Sequence, residues 1–326
     1  MRPPPEQYLP VFLHAGWRCA STYVWSRFRR NPSTTSFYEP FGESLSRCSP
    51  KRIRRQTPQG WNSRHPPLAL PYAEEYCPLL RPLMRGVPGY RREFALARYF
   101  PTKGGGVRPE ARYLSRLIGH ARSRDTHPVF GFSRSLGRAA ALKQALGGYH
   151  IVVRRNPLQQ WLSCRSYRRE VPLAYFELCH FLILALAPAG TPAHRFAGML
   201  DLPRLPRGLA RQYKSLYAGL YPWSDELSYR AFTAVSLLSH APAESAADLV
   251  LDVDRLARSE QYRDAVHTRI LADVGLSVDF ADCRLPTRDP AHLPVDFAAI
   301  ERDVRQRLIS CSADLGPVPA PAHAIE

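Results

Sequence analysis

The chain has 326 residues, and its 45 Lys and Arg outnumber 28 Asp and Glu, for a formal charge of +17. This excludes an acidic solvating protein, and 45% hydrophobic content suffices for a buried core, which excludes global disorder. Seven cysteines, Cys19, Cys48, Cys77, Cys164, Cys179, Cys283 and Cys311, form an odd set with no C-x-x-C pair; this argues against a disulfide framework or a structural zinc and for a reducing, cytoplasmic compartment.

Tyr8-Leu-Pro-Val-Phe-Leu-His14 is a short apolar run ending at Gly16 and predicts a buried strand leading into a tight loop. The stretch before it is too poor in apolar residues for a signal peptide. A helix follows through Tyr23 to Phe28, capped by Ser21 or Thr22 and stopped at Asn31-Pro32. Ser36 to Tyr38 predicts a second strand, and Glu39-Pro40-Phe41-Gly42 a turn. Residues 43–127, rich in Pro and Arg, read as an elaboration on the core, with helical stretches at Glu93–Tyr99 and Glu110–Arg122 and a flexible Gly104-Gly105-Gly106.

Regular alternation resumes with strands at Pro128–Phe132 and Tyr149–Val153 and helices at Leu136–Leu146 and Pro157–Arg168. Strand and helix alternating in this way predict an α/β fold of three layers, a central parallel sheet flanked by helices. Helices dominate from Leu173 to His240, and the apolar Phe181 to Ala187, far shorter than the about 18 to 20 residues of a membrane span, reads as a core helix. A strand at Asp248–Val253, a helix at Glu260–Val274 closed by Gly275 and a last helix at Asp296–Ser310 complete a single domain over 1–315, with 316–326 a disordered tail.

Residues 1–200 hold 31 basic and 10 acidic side chains, whereas 201–326 hold 14 and 18, so the positive field belongs to the first two-thirds. It attracts nucleic acid, a membrane surface or a multiply phosphorylated small ligand. Arg18-Cys19-Ala20-Ser21-Thr22 lies where the first strand meets its helix, and its N–H groups, the Arg18 guanidinium and the two hydroxyls suit a phosphate. The signature G-x-x-x-x-G-K-[ST] is absent, which disfavours an ordinary ATP-type loop. Arg155-Asn156-Pro157 with Ser163 follows a later strand, and both constellations face the carboxyl rim of the sheet, where such folds bind ligands. Two phosphate-reading sites on one rim imply a ligand with two separated phosphates. Arg134, Ser135 and Arg138, after the Pro128–Phe132 strand, are expected to extend the anion site.

These two motifs, in this order and spacing, resemble those of the sulfotransferases that use 3′-phosphoadenosine 5′-phosphosulfate (PAPS), in particular the carbohydrate and protein-tyrosine branches with Arg at the first loop position. The resemblance spans most of residues 8–280 and implies a P-loop-like fold, a sulfuryl transfer to the hydroxyl of a glycan or glycolipid, and no metal. It implies that Arg18 stabilises the bridging and sulfuryl oxygens, that Cys19, Ala20, Ser21 and Thr22 hold the 5′-phosphosulfate, that Tyr23 stacks near adenine, and that Arg155 and Ser163 take the 3′-phosphate. Glu39, in a Glu-Pro turn like that of the carbohydrate enzymes, is the expected base, with a pKa raised by Tyr38 and Phe41; His14 is the substitute, and Glu74 and Glu75 are alternatives. Ala20 stands where the family has glycine, Cys19 where it has serine, and the C-terminal Gly-rich loop with its lysine has no counterpart. Arginine skew and absent targeting point to a bacterial enzyme. No nucleic acid is expected, since no recognised module is present, while contact with a membrane surface is compatible with the charge. The other readings are a basic polyanion-binding protein without catalysis and an inactive nucleotide-binding relative.

Overall fold

The computed structural model describes residues 8–55, 68–81, 85–101 and 106–312. Gly104, Gly105 and the tail 316–326 lie outside the described residues. The strands are β1 (Val11–His14), β2 (Thr34–Tyr38), β3 (His127–Phe132), β4 (Tyr149–Arg154) and β5 (Leu249–Asp252). All pair in parallel in the order β2-β3-β1-β4-β5, with Val11 opposite both Val129 and Tyr149. The α/β class with a parallel central sheet is as the alternation of the sequence implies.

Helices α1 (Ser21–Arg29), α2 (Pro50–Arg54), α3 (Arg108–Arg122), α4 (Ala139–Leu146), α5 (Pro157–Arg165) and α6 (Tyr175–Ala185) come first in the chain. They are followed by α7 (Pro192–Ala197), α8 (Leu209–Leu220), α9 (Asp225–Ala246), α10 (Val253–Arg258), α11 (Glu260–Val274) and α12 (Phe297–Ser312). The period-two pattern of the strands decides which helix meets which face. Val11, Leu13, Ile151 and Val153 pack with Val24, Trp25 and Phe28 of α1 and with Val266 and Ile270 of α11. Phe12, Phe130 and Phe132 point the other way, onto Tyr113, Leu114 and Leu117 of α3 and Leu142 of α4. The apolar Phe181–Leu184 run is buried in α6 as expected, in a cluster shared with α5, α9 and α12. Gly131 in β3 lets α1 close on the sheet, because a Cβ there would lie 2.7 Å from Trp25.

Two local expectations are corrected. The Glu93–Tyr99 helix is only a single 3-10 turn at Arg92–Phe94, since Phe94 packs into the α3 cluster while Leu96 and Tyr99 turn into the α6 cluster. Neither Ser21 nor Thr22 caps α1; the cap position is Ala20, which makes no side-chain cap bond, and the Thr22 hydroxyl pairs with Tyr38 Oη at 2.9 Å. By contrast α5 starts as read, with Pro157 in its first turn and the Asn156 side chain accepting from Gln159 N at 3.0 Å.

Candidate functional site

The chain leaves β1 towards β2 on one side of the sheet and leaves β4 towards β5 on the other. The carboxyl ends of these adjacent strands therefore diverge, opening the crevice where open α/β sheets bind ligands. A cleft of about 1100 Å³ lies there, and Arg18, Ala20 to Tyr23, Glu39, Arg134, Arg155 and Ser163 all line it.

The loop after β1 is bonded to the β4–α5 segment. Gln160 Nε2 donates to Trp17 O at 2.8 Å, Arg155 Nη1 to Arg18 O at 3.0 Å, and the Cys19 thiol to Val153 O at 3.2 Å. Arg18 Nε in turn donates to Ser163 Oγ at 3.2 Å and Nη2 to Tyr167 Oη at 3.2 Å, with the guanidinium 4.3 Å from the Tyr167 ring centroid. The two sequence motifs are thus in direct contact. Arg18 and Ala20 both adopt the left-handed region, φ 63° and 56°, where an alanine costs about 1 kcal/mol or more relative to glycine. This kinked loop ends on a helix start without a side-chain cap, which leaves N–H groups and the positive end of the helix dipole for an anion.

Arg155 is a buried cation whose hydrogen-bond partners are neutral. The residue is 5% exposed, its bonds go to the neutral carbonyls of Arg18 and Pro286, and Nε is buried without a partner. Burial lowers its pKa, and an anion beside it would offset that cost. Cys19 departs from the expectation: its thiol is fully buried on the sheet side, with a pKa pushed up to about 12 by burial, so only its backbone can serve a ligand. Tyr23 lines the cleft with its hydroxyl on Asp282 Oδ1 at 2.8 Å and Arg27 over its ring at 4.6 Å.

Arg134 does not extend the anion site. It is neutralised by Glu39 at 2.7 Å and Glu43 at 2.9 Å, and it also donates to Tyr175 Oη. Glu39 accordingly stands in an ion pair, not in the apolar setting read from its aromatic neighbours, and Phe41 faces away onto Phe94 and Phe132. Arg138 is buried on Glu110 at 3.1 Å and bonds the carbonyls of Phe94 and Arg134, so it too is structural. Glu75 is taken by Arg29 at 2.6 Å.

Ser135 and His14 belong to a closed chain in the sheet. His150 Nε2 donates to Gly147 O at 2.9 Å, which leaves Nδ1 to accept from His14 Nε2 at 2.9 Å, and His14 Nδ1 then accepts from Ser135 Oγ at 2.6 Å. Burial, the first cause for both, lowers the His14 pKa and takes His150 to about 4, so both rings are neutral. Every nitrogen is occupied, and His14 is not a base for the cleft.

Sequence reasoning missed Glu43, whose carboxylate accepts from Tyr175 at 3.1 Å and Tyr213 at 3.0 Å, 132 and 170 residues away. Its position one turn after Glu39 was the only signal. It also missed the segment after α11, where Arg284, Leu285, Pro286 and Arg288 line the cleft and Gln159 clasps the Arg288 backbone at 2.8 Å in both directions. Among the described residues there is no cluster of His, Cys, Asp and Glu able to hold a metal ion, and no helix long and apolar enough to cross a membrane. Comparison with known protein families, with curated proteins and with solved structures finds no match.

Proposed function

We propose that the protein is a cytoplasmic PAPS-dependent sulfotransferase with a P-loop-like core, acting on a hydroxyl of a glycan or glycolipid. One observation carries the reading. The Arg18–Thr22 loop and the Arg155–Ser163 segment meet at the switch point through the Arg18–Ser163 and Arg155–Arg18 bonds, beside the unpartnered Arg155 Nε. A nucleotide with two separated phosphates satisfies both. Its 5′ side belongs on the Ala20–Tyr23 helix start and its 3′-phosphate on Arg155, with Arg284 and Arg288 as further cations of the same cleft.

For the transfer, Glu39 takes the proton of the acceptor hydroxyl as that oxygen bonds sulfur. Arg18 and Ser21 stabilise the negative charge left on the phosphate oxygen when its bond to sulfur breaks. Arg134 orients Glu39 and is itself held by Glu43. None of these roles uses Arg138 or His14.

Calorimetric titration with 3′-phosphoadenosine 5′-phosphate tests the reading without knowledge of the acceptor. Binding to the wild type with about a hundredfold loss in Arg155→Ala is expected, the scale of a lost charged hydrogen-bond pair. Equal affinity in the two proteins, or no binding to either, rejects the pocket, and avid binding of generic polyanions alone leaves the non-catalytic reading.

A further inference from the structure

Beside the cleft the fold gathers exposed cations that outnumber the acids among the described residues. The N–H groups of Gly86 and Val87 donate to Cys48 O and Leu45 O, each at 3.0 Å, and Arg92 Nε donates to Ser46 Oγ at 3.2 Å. These bonds hold Arg85 and Arg92 alongside Arg47. Gly86 permits the approach, with φ 83° and no Cβ where one would sit 2.7 Å from Ser46 O. Helix α2 follows at once: Ser49 caps it, Ile53 is its buried anchor, and Lys51, Arg52, Arg54 and the adjoining Arg55 are exposed. Among the described residues from 47 to 93 the acids are Glu74 and Glu75, both half-buried and Glu75 held by Arg29, and the exposed Glu93, itself paired with Arg91 at 3.5 Å. Arg47, Arg55 and Arg92 also line the cleft, so this surface runs into its mouth next to Glu43.

We propose that this surface docks an acidic polysaccharide, whose carboxylates or sulfates lie along α2 and the Arg47, Arg85 and Arg92 cluster while one sugar unit enters the cleft. That the polymer is also the acceptor rests on the sulfotransferase reading; the docking surface does not. Guanidinium groups pair with carboxylate and sulfate through two parallel hydrogen bonds, and a dense field of one sign concentrates a polymer of the other. A bilayer is the poorer fit, because interfacial binding sets apolar side chains among the cations. Among the described residues the exposed large hydrophobics are Leu70, Met199, Tyr221, Leu271 and Ile309, and of these Leu70 alone lies in this region. Single-stranded nucleic acid is disfavoured for a related reason, since it stacks on exposed aromatic rings and the described residues of this surface present none.

The test titrates short polygalacturonate into the wild type and into Arg52→Glu/Arg54→Glu, a pair exposed on α2 and outside the cleft lining, with Arg85→Glu as a second variant. Duplex DNA and vesicles of phosphatidylcholine with phosphatidylglycerol serve as competing probes. Binding that weakens about tenfold in each variant and steeply with salt is expected, with unchanged affinity for 3′-phosphoadenosine 5′-phosphate. Polygalacturonate binding that is absent, or equal in all three proteins, overturns the proposal, as does tighter binding of DNA or of the vesicles. Polysaccharide binding with no nucleotide binding at all retains the surface and rejects the transferase.

Discussion

Arg18, Ala20, Glu39 and Leu173, none of them glycine, line the cleft with φ of 63°, 56°, 47° and 59°. Strained backbone of this kind persists where the surroundings over-determine it, and it concentrates at functional sites. Ala20 tests the point directly. Ala20→Gly relieves the left-handed alanine and is expected to raise the urea stability by about 1 kcal/mol without loss of nucleotide affinity. A destabilised variant would mean that the methyl packs more favourably than the backbone suffers. Glu39 is tested by chemistry: Glu39→Gln is expected to leave nucleotide affinity within about twofold while transfer falls about 10²- to 10⁴-fold, the range for a lost general base. Full transfer by this variant would move the base to Glu43, which shares Arg134.

At the scale of elements, the cleft depends on α1 lying close against β3. Trp25 fills the space over Gly131, and its ring also meets Tyr38 at 4.7 Å and Tyr72 at 6.0 Å, two residues of the cleft wall. Gly131→Ala forces Trp25 outward and is expected to cost about 1 to 3 kcal/mol by overpacking, and to weaken nucleotide binding as α1 shifts. Denaturant titration and calorimetry on the same sample check both; a neutral substitution would show that the α1 contact does not govern the site. The loop from Phe280 to Arg288 is a second element-level support, tied to α1 by Tyr23, Arg27 and Asp282 and to α5 by Gln159.

For the whole molecule the buried histidines make stability depend on pH. Desolvation depresses the pKa of His14, takes His150 from 6.5 to about 4 and His180 to about 3. Below pH 6.5 the unfolded chain therefore binds protons that the folded one refuses, so stability is present at neutral pH and falls as pH drops through 6.5 to about 4. His150 alone contributes up to about 3 kcal/mol to that loss, and Glu75, whose carboxyl is raised by burial, opposes part of it. The urea midpoint is expected to fall between about pH 7 and about pH 4.5, and His180→Leu to flatten the slope. A midpoint constant over this range would show that the histidines titrate normally.

Much of this molecule is legible in neighbouring residues. Alternating apolar positions imply parallel strands, Asn156-Pro157 marks a helix start, Gly275 a helix end, and the place of Arg18 and Arg155 after strands puts them on one rim. Periodicity and capping are short-range effects, so a linear chain displays them. The fate of each charge is not local. Arg134 reads as an anion donor until the fold sets Glu39, Glu43 and Tyr175 around it, partners 95, 91 and 41 residues away. His14 reads as a spare base until β3 and β4 close on either side of it with Ser135 and His150. Glu43 is a plain acid in a loop until Tyr175 and Tyr213 arrive from two separate helices. Electrostatic partners are chosen by proximity in space, which the strand order decides, and so the class of fold and the rim were written in the sequence while the division of cleft cations into those with neutral partners and those neutralised by carboxylates was made only by the tertiary structure.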